Sequence, residues 1–278
     1  MSDRLKVLPQ YLLPKRAMTR LAGRIASKPR GGMTTATIRR FVARYGVNMD
    51  EAAEPSITAY ATFNDFFTRA LKPGARPIAQ APLVCPVDGA ISQVGRIEGD
   101  QVFQAKGQHF TTTALVGGDA QLAAKFRDGL FANLYLSPKD YHRIHMPADG
   151  RLLRMVHVPG ALFSVNPTTA RGVPGLFARN ERVVCVFEND TLGTWVLVLV
   201  GATIVGSMAT VWHGSISRRG PVREWDYVPG QVALKQGDEM GRFLLGSTVV
   251  MLFEKSPLQF NPAWQPGGKI RMGEAMAR

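Results

Sequence analysis

Cysteine is nearly absent: the 278 residues hold two, Cys85 and Cys185, with no C-x-x-C or Cys/His spacing around either. That argues against a disulfide framework and a structural zinc site, and it fits a reducing compartment. Long apolar runs are missing too. The most apolar stretch, residues 195–205 (WVLVLVGATIV), has eleven residues, whereas a spanning helix needs about 20. Its Val and Ile content, interrupted by Gly201, predicts buried strands. The N-terminus lacks the apolar core and small-residue cleavage site of a secretory signal. No G-x-S-x-G elbow is present, which excludes the usual nucleophile setting of an α/β-hydrolase. Acid is scarce in one place: among the first 46 residues Asp3 stands alone against eleven Lys and Arg.

What is there reads as a folded chain. Hydrophobic residues make up 45% and charged ones 20%, enough for one large domain or two modest ones to bury a core without covalent staples. The net charge is +13, of which +10 falls in residues 1–46. Such asymmetry marks a basic arm that meets an acidic partner. After Pro14 the segment KRAMTRLAGRIASK sets Met18, Leu21, Ala22 and Ile25 on one helical face and Arg16, Arg20 and Arg24 on another. After the turn Pro29-Arg30-Gly31-Gly32, the segment TTATIRRFVARYGV repeats the scheme. Its apolar face is Ile38, Phe41, Val42 and Tyr45, its basic residues are Arg39, Arg40 and Arg44, its N-cap is Thr34 or Thr35, and Gly46 is its stop. Two basic amphipathic helices suit an anionic membrane surface, each cation near it contributing about 1 kcal/mol. Zinc spacing and an aromatic RNA-binding signature are both lacking, so nucleic acid is not the expected partner. The other reading has the apolar faces docked on the protein's own core.

Residues 48–82 read as a connecting helical region, with Phe63, Phe66, Phe67 and Leu71 facing the core and Thr62 or Asn64 as cap. From residue 83 the texture changes to short apolar or alternating runs between Gly, Pro and Asp, the pattern of strands and turns. One helix is expected within residues 119–128, on Leu122, Ala123 and Phe126. The fold class is α+β, basic amphipathic N-terminal helices followed by a mostly antiparallel β core, with residues 1–46 as the membrane-association helices and residues 47–278 as one α+β domain.

Three segments carry reactive residues: CPVDGAI with Asp88, LSPKDYHRIHMPADG with His142 and His145, and LGSTVVMLFE with Ser247. Asp, His and Ser are the parts of a charge relay, in which the acid fixes the base and the base activates the hydroxyl. His142 and His145 could also form a metal pair, but no further ligands complete one. Ser247 follows Gly246, whose unshielded carbonyl suits attack by the adjacent hydroxyl. From the residues alone, a Ser-His-Asp hydrolase and a non-catalytic membrane-binding β module remain alternatives.

The segments LGST (residues 245–248) after KQGDEMGRF, SPKDYHRIHMP (137–147), CPVDGAI around Asp88, NDFFTRALKPGARPI (64–78) and FARNERVV (177–184) stand in one order along the chain. In this the sequence resembles the phosphatidylserine decarboxylase proenzymes of the longer bacterial type (type I). The resemblance implies that Asp88, His145 and Ser247 form a relay acting once, on the chain itself. It would cut between Gly246 and Ser247 into a β chain, residues 1–246, and an α chain, residues 247–278. Ser247 would become a covalent pyruvoyl group that forms a Schiff base with phosphatidylserine. Carbon dioxide would leave, and His142 would donate a proton or position the carboxylate. The resemblance also implies a dimer of processed units, peripheral attachment to the cytoplasmic side of the cell membrane, and no metal.

Overall fold

The computed structural model describes residues 2–203, 208–216, 220–244 and 247–278, with Ser247 described by its backbone alone. Helices α1 (Asp3–Val7), α2 (Pro9–Leu12), α3 (Lys15–Ala26), α4 (Gly32–Tyr45) and α5 (Phe63–Phe67) come first. Next are β1 (Leu83–Val84), β2 (Gly89–Arg96), the hairpin β3 (Gln101–Ala105) and β4 (Gln108–Thr111), then α6 (Thr112–Leu115) and α7 (Ala120–Ala124). Strands β5 (Leu130–Leu136), β6 (Arg143–His145) and β7 (Gly150–Val158) lead to α8 (Pro167–Gly172) and α9 (Leu176–Arg179). The chain continues through β8 (Arg182–Asn189), β9 (Gly193–Val200), β10 (Met208–Thr210), β11 (Gly214–Ser215) and β12 (Arg223–Asp226). It ends with β13 (Ala233–Leu234), β14 (Glu239–Phe243), β15 (Ser247–Phe253), β16 (Lys269–Ile270) and β17 (Ala275–Ala277).

A nine-stranded sheet orders β12-β7-β8-β9-β15-β5-β2-β16, with β13 also on β7, and a four-stranded sheet orders β11-β10-β14-β6. Their ladders are antiparallel, as expected for the core. The small sheet lays Ile144, Met208, Met240 and Phe243 against Leu134, Leu136, Leu197, Val249 and Met251 on one face of the large one. On the other face Val198, Val250 and Leu252 meet Val7, Leu115, Leu122, Phe126 and Phe177 from the helical layer. Because both faces are covered, β9 and β15 are unbroken apolar runs rather than alternating ones. Each fully buried Val, Leu or Met there stabilises the fold by about 1.5–3 kcal/mol.

The basic N-terminal helices differ in how much of their apolar faces the core covers. In α4, Ile38 is fully buried with Val47, Phe66 and Phe67, and Phe41 and Val42 pack on that cluster. In α3 the apolar face stays out: Leu21 is 61% and Ile25 45% exposed. Arg16, Arg20, Arg24, Arg39, Arg40 and Arg44 are all exposed. The arm is nevertheless tethered, because Val7 of α1 enters the main core. Its lone acid, Asp3, accepts from Arg171 Nε at 2.8 Å and Lys106 Nζ at 3.0 Å. These two cations hold the Asp3 carboxyl down at about 2.

Two sequence expectations are corrected. Helix α4 begins at Gly32, behind Gly31 as N-cap, rather than at Thr34 or Thr35; the Thr34 hydroxyl instead accepts from Arg30 N. Gly46 does end the helix, in the left-handed conformation. The helical region expected over residues 48–82 shrinks to the five residues of α5. Asn48 Oδ1 accepts from Asp50 N, and Glu54 Oε1 accepts from Ser56 N ahead of the helix. Such local side-chain bonds divert backbone donors into turns, and Pro55 removes a further one. Thr62 and Asp65 close a capping box at the start of α5, so Thr62, not Asn64, is the cap. The helix expected near residue 122 forms as α7, capped by Asp119.

Candidate active site

Sheet register assembles the three reactive segments. Strand β15 starts at Ser247 opposite Leu136, the last residue of β5. Strand β14 ends at Phe243, whose N–H donates to the His142 carbonyl at 3.0 Å, and Arg242 pairs with Arg143 of β6. The stretches 136–143 and 242–247 therefore join the same two pairs of strands, one pair in each sheet. The Asp88 segment is sewn to the same place, because His145 N donates to Pro86 O at 2.9 Å and Val84 N to Pro147 O. Gly246 and the Ser247 side chain lie outside the described residues.

His142 is fully buried. Its Nδ1 lies 2.7 Å from the Asp140 carbonyl and must donate to it. Nε2 then carries the lone pair, and it has no partner among the described residues. The ring rests on Phe67, centroids 4.0 Å apart. Burial pulls the imidazole pKa down to about 3; the Asp140 carbonyl opposes this, and the charge of Arg69 adds to it. A buried neutral imidazole with an unshared lone pair can take or return a proton only within a dry pocket. Thr248 Oγ1, next to Ser247 in sequence, is likewise buried and has no partner among the described residues.

His145 has both nitrogens engaged. Nδ1 is 2.7 Å from the Gly237 carbonyl, which only accepts, so Nδ1 carries the hydrogen. Nε2 is left to accept from the Tyr141 hydroxyl at 3.0 Å. Burial lowers the His145 pKa, with the Gly237 carbonyl opposing, and keeps the ring a neutral base. Burial also pushes the Tyr141 phenol up to about 12, so it remains a donor.

Asp88 is not where a relay expects it. Among the described residues it makes no hydrogen bond to His145. Its oxygens accept from Arg76 Nε at 3.0 and 3.1 Å, from Arg76 Nη2 at 2.5 Å, and from Met272 N at 2.9 Å. Arg76 Nη2 also holds Glu51 at 2.6 Å. The hydrogen bonds that Arg76 donates to Asp88, and then to Glu51, raise its pKa against its burial. The Gly237 carbonyl therefore sets the His145 tautomer, and Asp88 reaches His145 only through its field, which favours the charged ring.

Beside these groups opens a cavity of about 360 Å3, lined by Asp88, Arg76, Arg69, Tyr135, Ser137 and Tyr141 among others. A second hollow of about 500 Å3 lies between α3 and α4, walled by Ala22, Ile25, Phe41 and Phe63 and edged by Arg40 and Arg44. Arg69, Arg76, Tyr141 and Gly237 were not singled out from sequence, although all four stand inside quoted segments. The FARNERVV segment is a clamp rather than part of the site. Asn180 accepts from Phe163 N and donates to the Phe163 and Gly201 carbonyls, and Arg182 Nε donates to the Leu115 carbonyl. Both cysteines are buried and free. Among the described residues no three His, Cys, Asp or Glu side chains gather as metal ligands.

One buried and one half-buried imidazole, both neutral, thus stand where the two antiparallel sheets meet. The family model described as phosphatidylserine decarboxylase matches residues 63–278, and a model described as PSD matches residues 5–46. A phosphatidylserine decarboxylase proenzyme of Acidovorax ebreus is 70% identical over 279 residues, covering all of this chain and 98% of its own. Those of Variovorax paradoxus and Polaromonas naphthalenivorans are each 72% identical, covering all of this chain and 98% and 97% of their own. The chain belongs to the phosphatidylserine decarboxylase family and is a decarboxylase.

Proposed function

We propose that the chain decarboxylates phosphatidylserine to phosphatidylethanolamine at a membrane surface, after cutting itself between Gly246 and Ser247. The observation that carries this is His145: a neutral base of fixed tautomer, on a strand paired with the one that leads into Gly246-Ser247. In the self-cleavage, the Ser247 hydroxyl proton passes to His145 Nε2 and the oxygen attacks the Gly246 carbonyl. The Gly246–Ser247 peptide bond gives way to an ester. Loss of the residue 247 Cα proton expels the Gly246 carboxylate. Water then replaces the nitrogen of the resulting dehydroalanine, ammonia leaves, and a pyruvoyl group remains. Asp88, held by Arg76, favours the protonated ring from a distance, and Tyr141 must release Nε2 for the first step.

The residues suit a pyruvoyl group at position 247: His142 Nε2 and Thr248 Oγ1, unpartnered among the described residues, flank the junction. Such a group supplies an electron sink for the bond that loses carbon dioxide. His142 returns the proton to the substrate carbon or positions its carboxylate. Residues 247–278 remain bound after the cut, since β15 lies between β9 and β5, β16 pairs β2 and β17 pairs β1.

The exposed apolar face of α3 with the surrounding arginines supports peripheral attachment to an anionic leaflet at the cytoplasmic face of the cell membrane. No helix among the described residues is long and apolar enough to cross one. A dimer of processed units is part of the same reading. Release of labelled carbon dioxide from carboxyl-labelled phosphatidylserine tests it. The wild-type chain releases label, and Ser247→Ala and His145→Ala neither process nor release it. Release by Ser247→Ala would overturn the proposal.

A further inference from the structure

The segment NDFFTRALKPGARPI carries two arginines, and the structure treats them differently. Arg76 is matched by Asp88 and Glu51. Arg69 is 5% exposed yet makes no ion pair among the described residues. Among the described residues its one hydrogen bond to a protein acceptor runs from Nη2 to the Lys139 carbonyl at 3.3 Å, and its buried Nε has no partner. A guanidinium has five N–H donors, and burying a charge that lacks a counter-ion is costly. Burial pulls its pKa below the usual guanidinium value; Tyr60, Asp88 and Glu51 oppose this through their fields.

Arg69 lines the 360 Å3 cavity beside the site, with Lys139, Lys269 and Arg271 exposed around it. The cavity also touches Tyr135 and Ser137, which flank Leu136, the register partner of Ser247. Gly46, at the end of the basic helix α4, forms another part of its wall. A headgroup arriving from a membrane met by α3 and α4 would therefore enter here.

We infer that this cavity, with Arg69 at its base, holds the phosphodiester of the lipid substrate. The inference rests on the decarboxylase reading above. The substrate offers two anions, and their chemistry separates them. A cation paired with the carboxylate would stabilise the ground state that must lose its charge as carbon dioxide leaves, and would slow the reaction. A cation on the phosphodiester, which does not change during the reaction, contributes binding alike to ground and transition states. Arg69 is then a binding residue whose loss appears in KM rather than kcat. Lys269 and Arg271 belong to residues 247–278 and Arg69 and Lys139 to residues 1–246, so both products of the proposed cut contribute to the site.

The test separates this inference from the reaction itself by using the unprocessed Ser247→Ala chain. It is titrated with glycerophosphoserine, inorganic phosphate and free serine in calorimetry. The diester is expected to bind at least tenfold more tightly than either of the others, and Arg69→Gln to weaken it at least tenfold, with Arg69→Lys falling between. In the processed enzyme, Arg69→Gln should raise KM about tenfold and leave kcat within twofold. Equal binding of serine and the diester would overturn the inference, as would undiminished diester binding in Arg69→Gln. Phosphate binding as tightly as the diester would assign the cavity to free phosphoryl anions and overturn the substrate assignment. Failure to process or to release carbon dioxide would count against the reaction and not against these titrations.

Discussion

His142 should make the protein acid-sensitive, by an amount that follows from its burial. Its imidazole is wholly enclosed, with Nε2 unpartnered, Phe67 against the ring and the Arg69 charge in range. The folded-state pKa lies near 3, against 6.5 for a free side chain. A depressed pKa means that the unfolded chain takes up the proton first. The contribution is therefore complete above pH 6.5 and is lost as pH falls towards 3. Each pH unit in that window costs about 1.4 kcal/mol, so lowering the pH from 7.5 to 4.5 should remove roughly 3 kcal/mol. Against a typical total of about 5–15 kcal/mol, that is measurable. The perturbation is His142→Asn in a Ser247→Ala background, where one chain unfolds; the amide can still donate to the Asp140 carbonyl. Urea unfolding at pH 7.5, 6.0 and 4.5 would compare the two proteins. His145 titrates in both, so the difference isolates His142. The variant should lose about 3 kcal/mol less over this range. Parallel stability-against-pH curves would refute the reasoning.

Three other outcomes are expected. Replacing Leu21 and Ile25 with Glu should lower co-sedimentation with anionic vesicles at least tenfold and change stability by less than about 0.5 kcal/mol, because both residues are exposed; unchanged vesicle binding would remove α3 from the membrane contact. Arg76→Met leaves the Asp88 and Glu51 carboxylates without their shared cation and should cost about 3–5 kcal/mol in urea unfolding at pH 7.5. Adding Glu51→Gln should recover part of it, and an additive double variant would contradict the shared pairing. Tyr141→Phe frees His145 Nε2 from one hydrogen bond of about 1 kcal/mol and should speed processing roughly fivefold in a pulse-chase gel, whereas slower processing would make Tyr141 a participant.

Legibility from sequence followed the range of the interactions. The strands of the two-faced sheet were readable because Trp195–Val200 and Val249–Phe253 are apolar without interruption. Helix α7 was readable because Leu122, Ala123 and Phe126 are spaced for one face, and Asp119 caps it by accepting from the Leu122 N–H. Local chemistry misled at residues 48–62, where Asn48, Glu54 and Pro55 outweigh the helical spacing of the phenylalanines further on. The candidate site was legible as residue types and not as partners. That Asp88 binds Arg76 depends on a link twelve residues long, and that Gly237 orients His145 depends on a turn ninety-two residues away. Neither leaves a pattern in a single sequence. The split behaviour of the basic helices had the same origin: α3 and α4 share a pattern, but only α4 finds Phe66 and Phe67 across from it.

The central claim is a chain that cuts itself. Mass spectrometry of the intact protein, expressed with no added protease, tests it most directly. The account predicts two species: residues 1–246, and residues 247–278 with a pyruvoyl in place of an amino terminus. A single uncut chain of 30.4 kDa that still releases carbon dioxide from phosphatidylserine would contradict it.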